Sequence, residues 1–264
     1  MPCEDGLQKA FAAARASQAQ EFTAVQQRAA DEHIGPSLRQ ARNYSAADID
    51  AWLAKTKLEK DKFGKPRWKD AQIEALQVIC KRMCIELQET DAEVPLTDPL
   101  LWVVHGTPGT GKSEVLKLVK KLFHDVCGWQ MGLEYQMVAL QAVMAQLLGG
   151  DTIHHALGIN PFGVAPGEKA AQRAAQRQAT VAERVMQWRW LFIDEISMVS
   201  AKLLAEVDMK LRAIISDVNN MKKTAPGDVL HLGGLSVMIN GNFWQLDPPR
   251  GGFLAAIPAE FIRA

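Results

Sequence analysis

Three stretches of this chain carry residue types whose spacing supports chemistry on a nucleoside triphosphate. Gly106-Thr107-Pro108-Gly109-Thr110-Gly111-Lys112-Ser113 fits G-x-x-x-x-G-K-[ST] at every position. Glycines in such a loop let backbone N–H groups wrap phosphates, while the lysine reaches the β- and γ-phosphates and the hydroxyl takes Mg²⁺. Leu191-Phe192-Ile193-Asp194-Glu195 ends an apolar run in two carboxylates. There Asp194 would hold Mg²⁺ through water or Ser113, and Glu195 would polarise an attacking water. Alone, two adjacent acids are often a solvated strand end; a phosphate loop upstream turns the reading toward function. The third stretch, Gly241 to Pro249, places Gln245 just beyond an apolar segment. A glutamine there can reach a γ-phosphate or its water, but spacing alone reads equally as a proline-terminated strand and turn.

Such residues must be positioned by an α/β scaffold. The continuous apolar run 100–104 reads as a parallel strand covered on both faces, and an amphipathic helix over 113–123 follows the glycine turn. Further strands are expected at 135–139, 190–193 and 235–239, and helices at 142–148, 168–187 and 201–218. Strands alternating with helices give a mainly parallel sheet, with the chemistry at the carboxyl ends of its strands. Upstream, 70–87 reads as a strong helix with Ile73, Leu76, Ile79, Cys80, Met83 and Leu87 on one face. Pro95 and Pro99 bracket a turn, and 161–167 is a loop. Residues 1–67 read as a polar helical or partly disordered extension ending in a charged linker at 60–69, ahead of a domain over 68–264.

Composition excludes little. Lys+Arg and Asp+Glu stand at 30 each, so a nucleic-acid surface must be local rather than a whole-protein field. Cys3, Cys80, Cys84 and Cys127 form no C-x-x-C pair, and the histidines show no zinc spacing, so buried free thiols in a reducing compartment are expected. No apolar run is long enough to cross a membrane. Acids at Glu4 and Asp5 and the lack of an apolar core argue against a secretory signal or transit peptide at the start, leaving a cytosolic or nuclear default.

The motif set resembles a known family. Gly106–Ser113, Asp194-Glu195-Ile196-Ser197-Met198 and Gly241–Pro249 look like motifs I, II and III of superfamily-one helicases. The D-E-I-S-M form and the Q-L-x-P-P that follows resemble the petite integration frequency (PIF) helicases, relatives of bacterial RecD. Gly150-Asp151-Thr152-Ile153-His154-His155 resembles the G-x-T-I-H that closes that family's motif Ia, and Asp70-Ala71-Gln72 with Ala75 resembles its adenine-recognition motif. The resemblance runs from about Trp68 to Gly252.

It implies a P-loop NTPase with a RecA-like sheet, and an ATP- and Mg²⁺-dependent 5′→3′ DNA helicase acting on single-stranded DNA and duplex junctions. Roles in repair, recombination and telomere maintenance, and a nuclear or mitochondrial location, are implied as well. Residue by residue, Lys112, Asp194, Glu195 and Gln245 would be catalytic, Gln245 as γ-phosphate sensor. Gln72 would read adenine, Gly106 to Ser113 would bind ATP, and Ser113 and Asp194 would hold Mg²⁺. Thr152, His154 and Phe243 would lie along single-stranded DNA, with Trp244 as an alternative to Phe243. Capping or packing would equally explain His154 and His155, and a solvated helix face would explain the stripe Arg173, Arg177 and Arg184.

The chain departs from the family at motif Ia, where Val138-Ala139-Leu140-Gln141-Ala142 replaces a T-x-P-T-G-like stretch, and at Asn242 and Asp247 in motif III. Motifs IV to VI of a second RecA-like domain do not occur. A monomer is expected, one that needs such a domain and hydrolyses slowly without its arginine fingers, which contribute about 10³–10⁵ in rate. Two other readings stay open: a nucleotide-binding remnant that unwinds nothing, and an AAA+ or kinase-like P-loop enzyme.

Overall fold

The computed structural model describes residues 44–88, 98–160, 168–215, 230–245, 248, 249, 252 and 254. Its centre is an all-parallel sheet of β1 (Leu101–His105), β2 (Tyr135–Ala139), β3 (Asp151–Thr152), β4 (Trp190–Asp194) and β5 (Ser236–Gly241). Their order across the sheet is β1-β5-β4-β2-β3. The central position belongs to β4, flanked by β5 and β2, and the residues of β4 and β5 are almost entirely buried. This is why β4 reads as a continuous apolar run, and β5 as one interrupted by Asn240, rather than as alternating patterns.

Helices cover both faces of the inner strands, but β1, expected to be covered on both, lies at the sheet edge and leaves Leu101 and Val103 about half exposed on one face. Side chains alternate along β4, so Trp190 and Phe192 enter one core and Leu191 and Ile193 the other. The first core takes α1 (Ala46–Lys57), α2 (Asp70–Gln88) and α3 (Lys112–Asp125); the second takes α5 (Ile153–Leu157), α6 (Glu168–Gln187) and α7 (Ala201–Ile215). A short helix α4 (Ala142–Leu148) leads from β2 to β3. The layered α/β architecture is the one expected, and the expected elements fall within a few residues of those observed. In the first core Phe123 is ringed by aromatic neighbours, with centroids at 4.8 Å to Trp129, 4.9 Å to Tyr135 and 5.7 Å to Trp190.

Two features were not apparent in the amino-acid pattern. Ile49 and Leu53 of α1 are buried in the same core as α2 and α3, so packing runs across residue 67. Ser45 starts α1 with a reciprocal capping box to Asp48. Nor is 60–69 a linker. Lys60 bridges Pro66 in antiparallel fashion, and the Asp61 carboxylate accepts from Phe63 N–H (2.8 Å) and Lys65 N–H (2.9 Å). Order there comes from one side chain satisfying a turn's backbone, which a charged composition conceals. The segment 1–43, Cys3, the Pro95 turn, the 161–167 loop and the tail of the helix expected to reach 218 lie outside the described residues.

The end of the sheet away from the strands' carboxyl termini is tied by a buried ion cluster. Glu86 of α2 meets Arg189 (3.0 Å) just before β4, lies 3.7 Å from Arg82, and accepts from the Ser236 hydroxyl (3.2 Å) at the start of β5. Cys80, Cys84 and Cys127 are free thiols, as expected, and burial pushes Cys80 and Cys127 up to about 12. Removing the carboxylate that two buried guanidiniums share leaves charge in a low-dielectric site. Glu86→Ala is therefore expected to lower the unfolding free energy by about 3 kcal/mol, read as an earlier urea midpoint.

Candidate functional site

The site assembles at the carboxyl ends of β1, β5, β4 and β2. Register sets Val104 beside Asn240, His105 beside Gly241, and Ala139 between Asp194 and Thr152. The loop leaving β1 passes through Gly109 and Gly111 at positive φ and enters α3 at Lys112. Lys112 Nζ donates to the carbonyls of Gly106 (2.5 Å) and Thr107 (3.1 Å), which holds the ammonium inside the loop. Thr110 Oγ donates to Thr107 O at 2.8 Å, and Ser113 is exposed in the first turn of α3.

Gly111 is required by a close approach. Its φ is +90°, and a Cβ there would lie 2.4 Å from Gln72 Nε2. Gln72 is buried at the start of α2, donates to Gly111 O (3.1 Å) and accepts from Lys69 N–H (2.9 Å). The structure thus seats Gln72 directly on the phosphate loop. At the other side Gly106 N–H donates to Gly241 O at 3.2 Å. A Cβ on Gly241 would lie 2.9 Å from the backbone nitrogen of Ile196, so the β5 end abuts the turn that follows Asp194.

Asp194 is buried, and burial pushes its carboxyl up to about 6, with the charge of Glu195 adding to the rise. The Glu195 N–H and the Lys112 ammonium pull the other way. Glu195 itself sits in the left-handed region at φ 54°, a conformation that costs a non-glycine residue about 1–3 kcal/mol and is kept only where surroundings impose it. Hard oxygen donors from Ser113 and Asp194, with no cluster of three His, Cys, Asp or Glu among the described residues, suit a cation that draws its other ligands from phosphate and water. Mg²⁺ behaves in that way, and a buried carboxylate held above its ordinary range is the group a cation would relieve.

Asn240 escaped the motif reading, and Ser197 entered it only as part of the D-E-I-S-M stretch, without a role. Asn240 is fully buried in β5, one step beyond the registered pair Ile193 and Ile239, and so flanks Asp194. Neither of its amide atoms has a partner among the described residues, and the same holds for the Ser197 hydroxyl in the turn after Glu195. The visible signal is one polar residue inside the apolar run Val237–Gly241. Beyond β5, Asn242 O and Oδ1 accept from the N–H groups of Gln245 and Trp244 (both 3.1 Å), leaving Gln245 exposed in the turn. Phe243 is half-buried and stacks on His105 (5.8 Å, 7°), while the ring offered to solvent is Trp244, 83% exposed. Thr152 caps α5 by accepting from His155 N–H (3.3 Å), and His155 pairs with Asp151. His154 is partly buried. Arg184 bonds Ala156 O at 2.8 Å and lies at the Trp188 ring; the side chains of Arg173 and Arg177 are outside the described set.

A family model described as PIF1-like helicase matches residues 90–251. The chain belongs to that family. It is 29% identical over 146 residues to ATP-dependent DNA helicase RRM3 of Saccharomyces cerevisiae, covering 54% of this chain and 18% of that protein. Against ATP-dependent DNA helicase PIF1 of Danio rerio it is 32% identical over 147 residues, 56% of this chain and 20% of the relative. The chain thus spans about a fifth of these relatives. Among solved structures it is similar to Pif1 helicase from Candida albicans (TM-score 0.47, 25% identity, 70% of this chain, 35% of that one). It is also similar to Bacteroides Pif1 in complex with ADP-AlF3 and ssDNA (TM-score 0.45, 22% identity, 69% and 34%). No helix among the described residues is long and apolar enough to cross a membrane.

Two stability measurements follow from this PIF1-like site. Asp194 rises from 3.8 to about 6, so its ionisation opposes folding at neutral pH and ceases to as the pH falls toward 4. In metal-free protein Asp194→Asn is expected to gain on the order of 3 kcal/mol near neutral pH. That gain should shrink steadily below about pH 6 in urea titrations. Asn240→Val removes two unpartnered buried amide atoms and is expected to raise stability by about 1 kcal/mol, seen as a higher melting temperature.

Proposed function

We propose that this chain is the ATP-binding and ATP-hydrolysing half of a 5′→3′ DNA helicase motor that couples hydrolysis to movement along single-stranded DNA and to duplex unwinding. The observation that carries the proposal is the convergence of the Lys112 loop, the buried Asp194 with Glu195, and the β5 end on one edge of a parallel sheet. Lys112 binds the β- and γ-phosphates, and the Gly106–Ser113 backbone cradles them at the start of α3. Gln72, which donates to Gly111 O, would read adenine. Ser113 and Asp194 would hold Mg²⁺, which supplies charge neutralisation on the phosphates when bound. Glu195 orients the attacking water and accepts its proton, and Gln245 reaches the γ-phosphate from the β5 turn.

The row Asp194, Ala139, Thr152 leads from this site toward a DNA path formed by Thr152, His154 and Phe243, with Trp244 as an exposed stacking ring. Work in DNA repair, recombination and telomere maintenance, in nucleus or mitochondrion, is consistent with the family. A second RecA-like domain, supplying arginine fingers, would complete the motor and speed turnover by about 10³–10⁵.

ATP hydrolysis by the purified chain, with and without an oligo(dT) strand, tests the proposal. Turnover is expected to rise with the strand and to be lost in Lys112→Ala. Glu195→Gln should still bind a fluorescent ATP analogue while turnover falls by roughly 10²–10⁴, and Asn240→Val should lose turnover despite its added stability. Nucleotide binding with turnover indifferent to DNA would instead make this a nucleotide-binding remnant.

A further inference from the structure

The hairpin before α2 concentrates charge that the rest of the chain does not. Between residues 57 and 70 stand Lys57, Lys60, Lys62, Lys65, Arg67 and Lys69 against Glu59, Asp61 and Asp70, in a chain whose charges as a whole balance at 30 and 30. Two of the acids, Glu59 and Asp61, are engaged locally. Asp61 is spent on the turn's N–H groups; Glu59 lies 3.8 Å from both Arg67 and Lys121 and accepts from Trp68 Nε1 at 3.2 Å. The lysines at 60, 62 and 65 point into solvent.

At the tip, Phe63 is 73% exposed, carried on the turn that Gly64 makes at φ +77°. Lys62 Nζ lies 5.0 Å from its ring centroid, and Arg67 lies 4.9 Å from that of Trp68. An exposed aromatic ring ordinarily costs solubility. Here it is rigidly presented, with cations spaced around it, and that combination matches an unpaired base stacked between phosphates. A duplex offers no free base face to such a ring.

We infer that the Lys60–Pro66 hairpin is a single-stranded nucleic-acid contact, with Phe63 stacking on a base and Lys60, Lys62 and Lys65 neutralising the flanking phosphates. It lies outside the stretch matched by the family model, residues 90–251. It is also separate from the Thr152 end of the sheet, being joined instead to the phosphate loop through Lys69, Gln72 and Gly111. The inference does not rest on ATP hydrolysis or unwinding.

The test is fluorescence anisotropy of labelled dT20 and U20 across a salt series. It compares wild type, Phe63→Ala, the triple variant Lys60→Ala/Lys62→Ala/Lys65→Ala, and Trp244→Ala. All the substituted side chains are exposed, and unchanged melting temperature and ATP-analogue binding confirm the fold. The triple variant is expected to lose about ten-fold or more in affinity and to flatten the log K against log salt slope by about 2. Phe63→Ala is expected to lose roughly five-fold or more with the slope intact. Hairpin variants that bind like wild type overturn the inference, as does a wild-type chain that binds neither oligonucleotide. Loss of binding to phosphatidylserine vesicles, with oligonucleotide binding unchanged, would reassign the hairpin to a membrane surface. If only Trp244→Ala loses DNA, the hairpin reading falls and the motor reading stands. If the hairpin variants lose DNA while DNA never raises ATP turnover, the reverse holds.

Discussion

The structure is organised around one carboxylate that sits where water cannot fully reach it. Asp194 is buried at the end of β4, and its ionisation is opposed by burial and by Glu195 beside it. A side chain can be placed there only by a strand that is covered on both faces and paired on both edges. The aromatic and aliphatic cores, with β2 and β5 on either side, meet that demand. Several costly features lie within a few residues of this point: a glutamate at positive φ, a buried asparagine and a serine without partners among the described residues. The opposite end of the sheet holds the reverse case, a buried Glu86 whose charge is matched by two guanidiniums. Compensated charge anchors the fold, and uncompensated charge marks the site.

Glycine is used at the points where backbones must touch. At Gly111 any side chain would collide with the Gln72 amide, and at Gly241 with the turn that carries Glu195. Through these two contacts and the Gly106 to Gly241 hydrogen bond, the phosphate loop, the acidic turn, the start of α2 and the end of β5 are linked to one another. A disturbance at any of them is felt at the others, because close-packed backbone has no slack to absorb it.

Most of this was legible in the amino-acid order for a physical reason. Strands β2 and β4 are covered on both faces and so announce themselves as apolar runs, and the glycine loop is a local motif whose chemistry is written in consecutive residues. What escaped detection depends on long-range placement. The lone Asn240 in an apolar run gains meaning only from register, which sets it beside Asp194 far away in the chain. The two-residue strand β3 is too short to carry a period. The hairpin at Lys60–Pro66 looked like a linker because its composition is polar, whereas its order comes from a single aspartate answering two backbone donors. The buried face of α1 carries only a few apolar residues in a polar stretch, and the core it joins is built mainly from residues beyond 70.

These local costs bear on how such a site would drive movement. A ligand shifts a conformational equilibrium only by binding one state better than another. A preformed pocket that satisfied all its groups without nucleotide would have little to gain from filling. Here a buried carboxylate, an unpartnered amide on the neighbouring strand and an unpartnered hydroxyl in the following turn lie close to where phosphate, cation and ordered water would arrive. Binding would return to the protein what burial took from it, and loss of the γ-phosphate would withdraw part of that return. On the proposed function, the difference between those two states is the free energy available to reposition the Gln245 turn and the Trp244 ring next to it. The strain at Glu195 and the orphaned Asn240 are then part of the motor's design rather than defects of its packing.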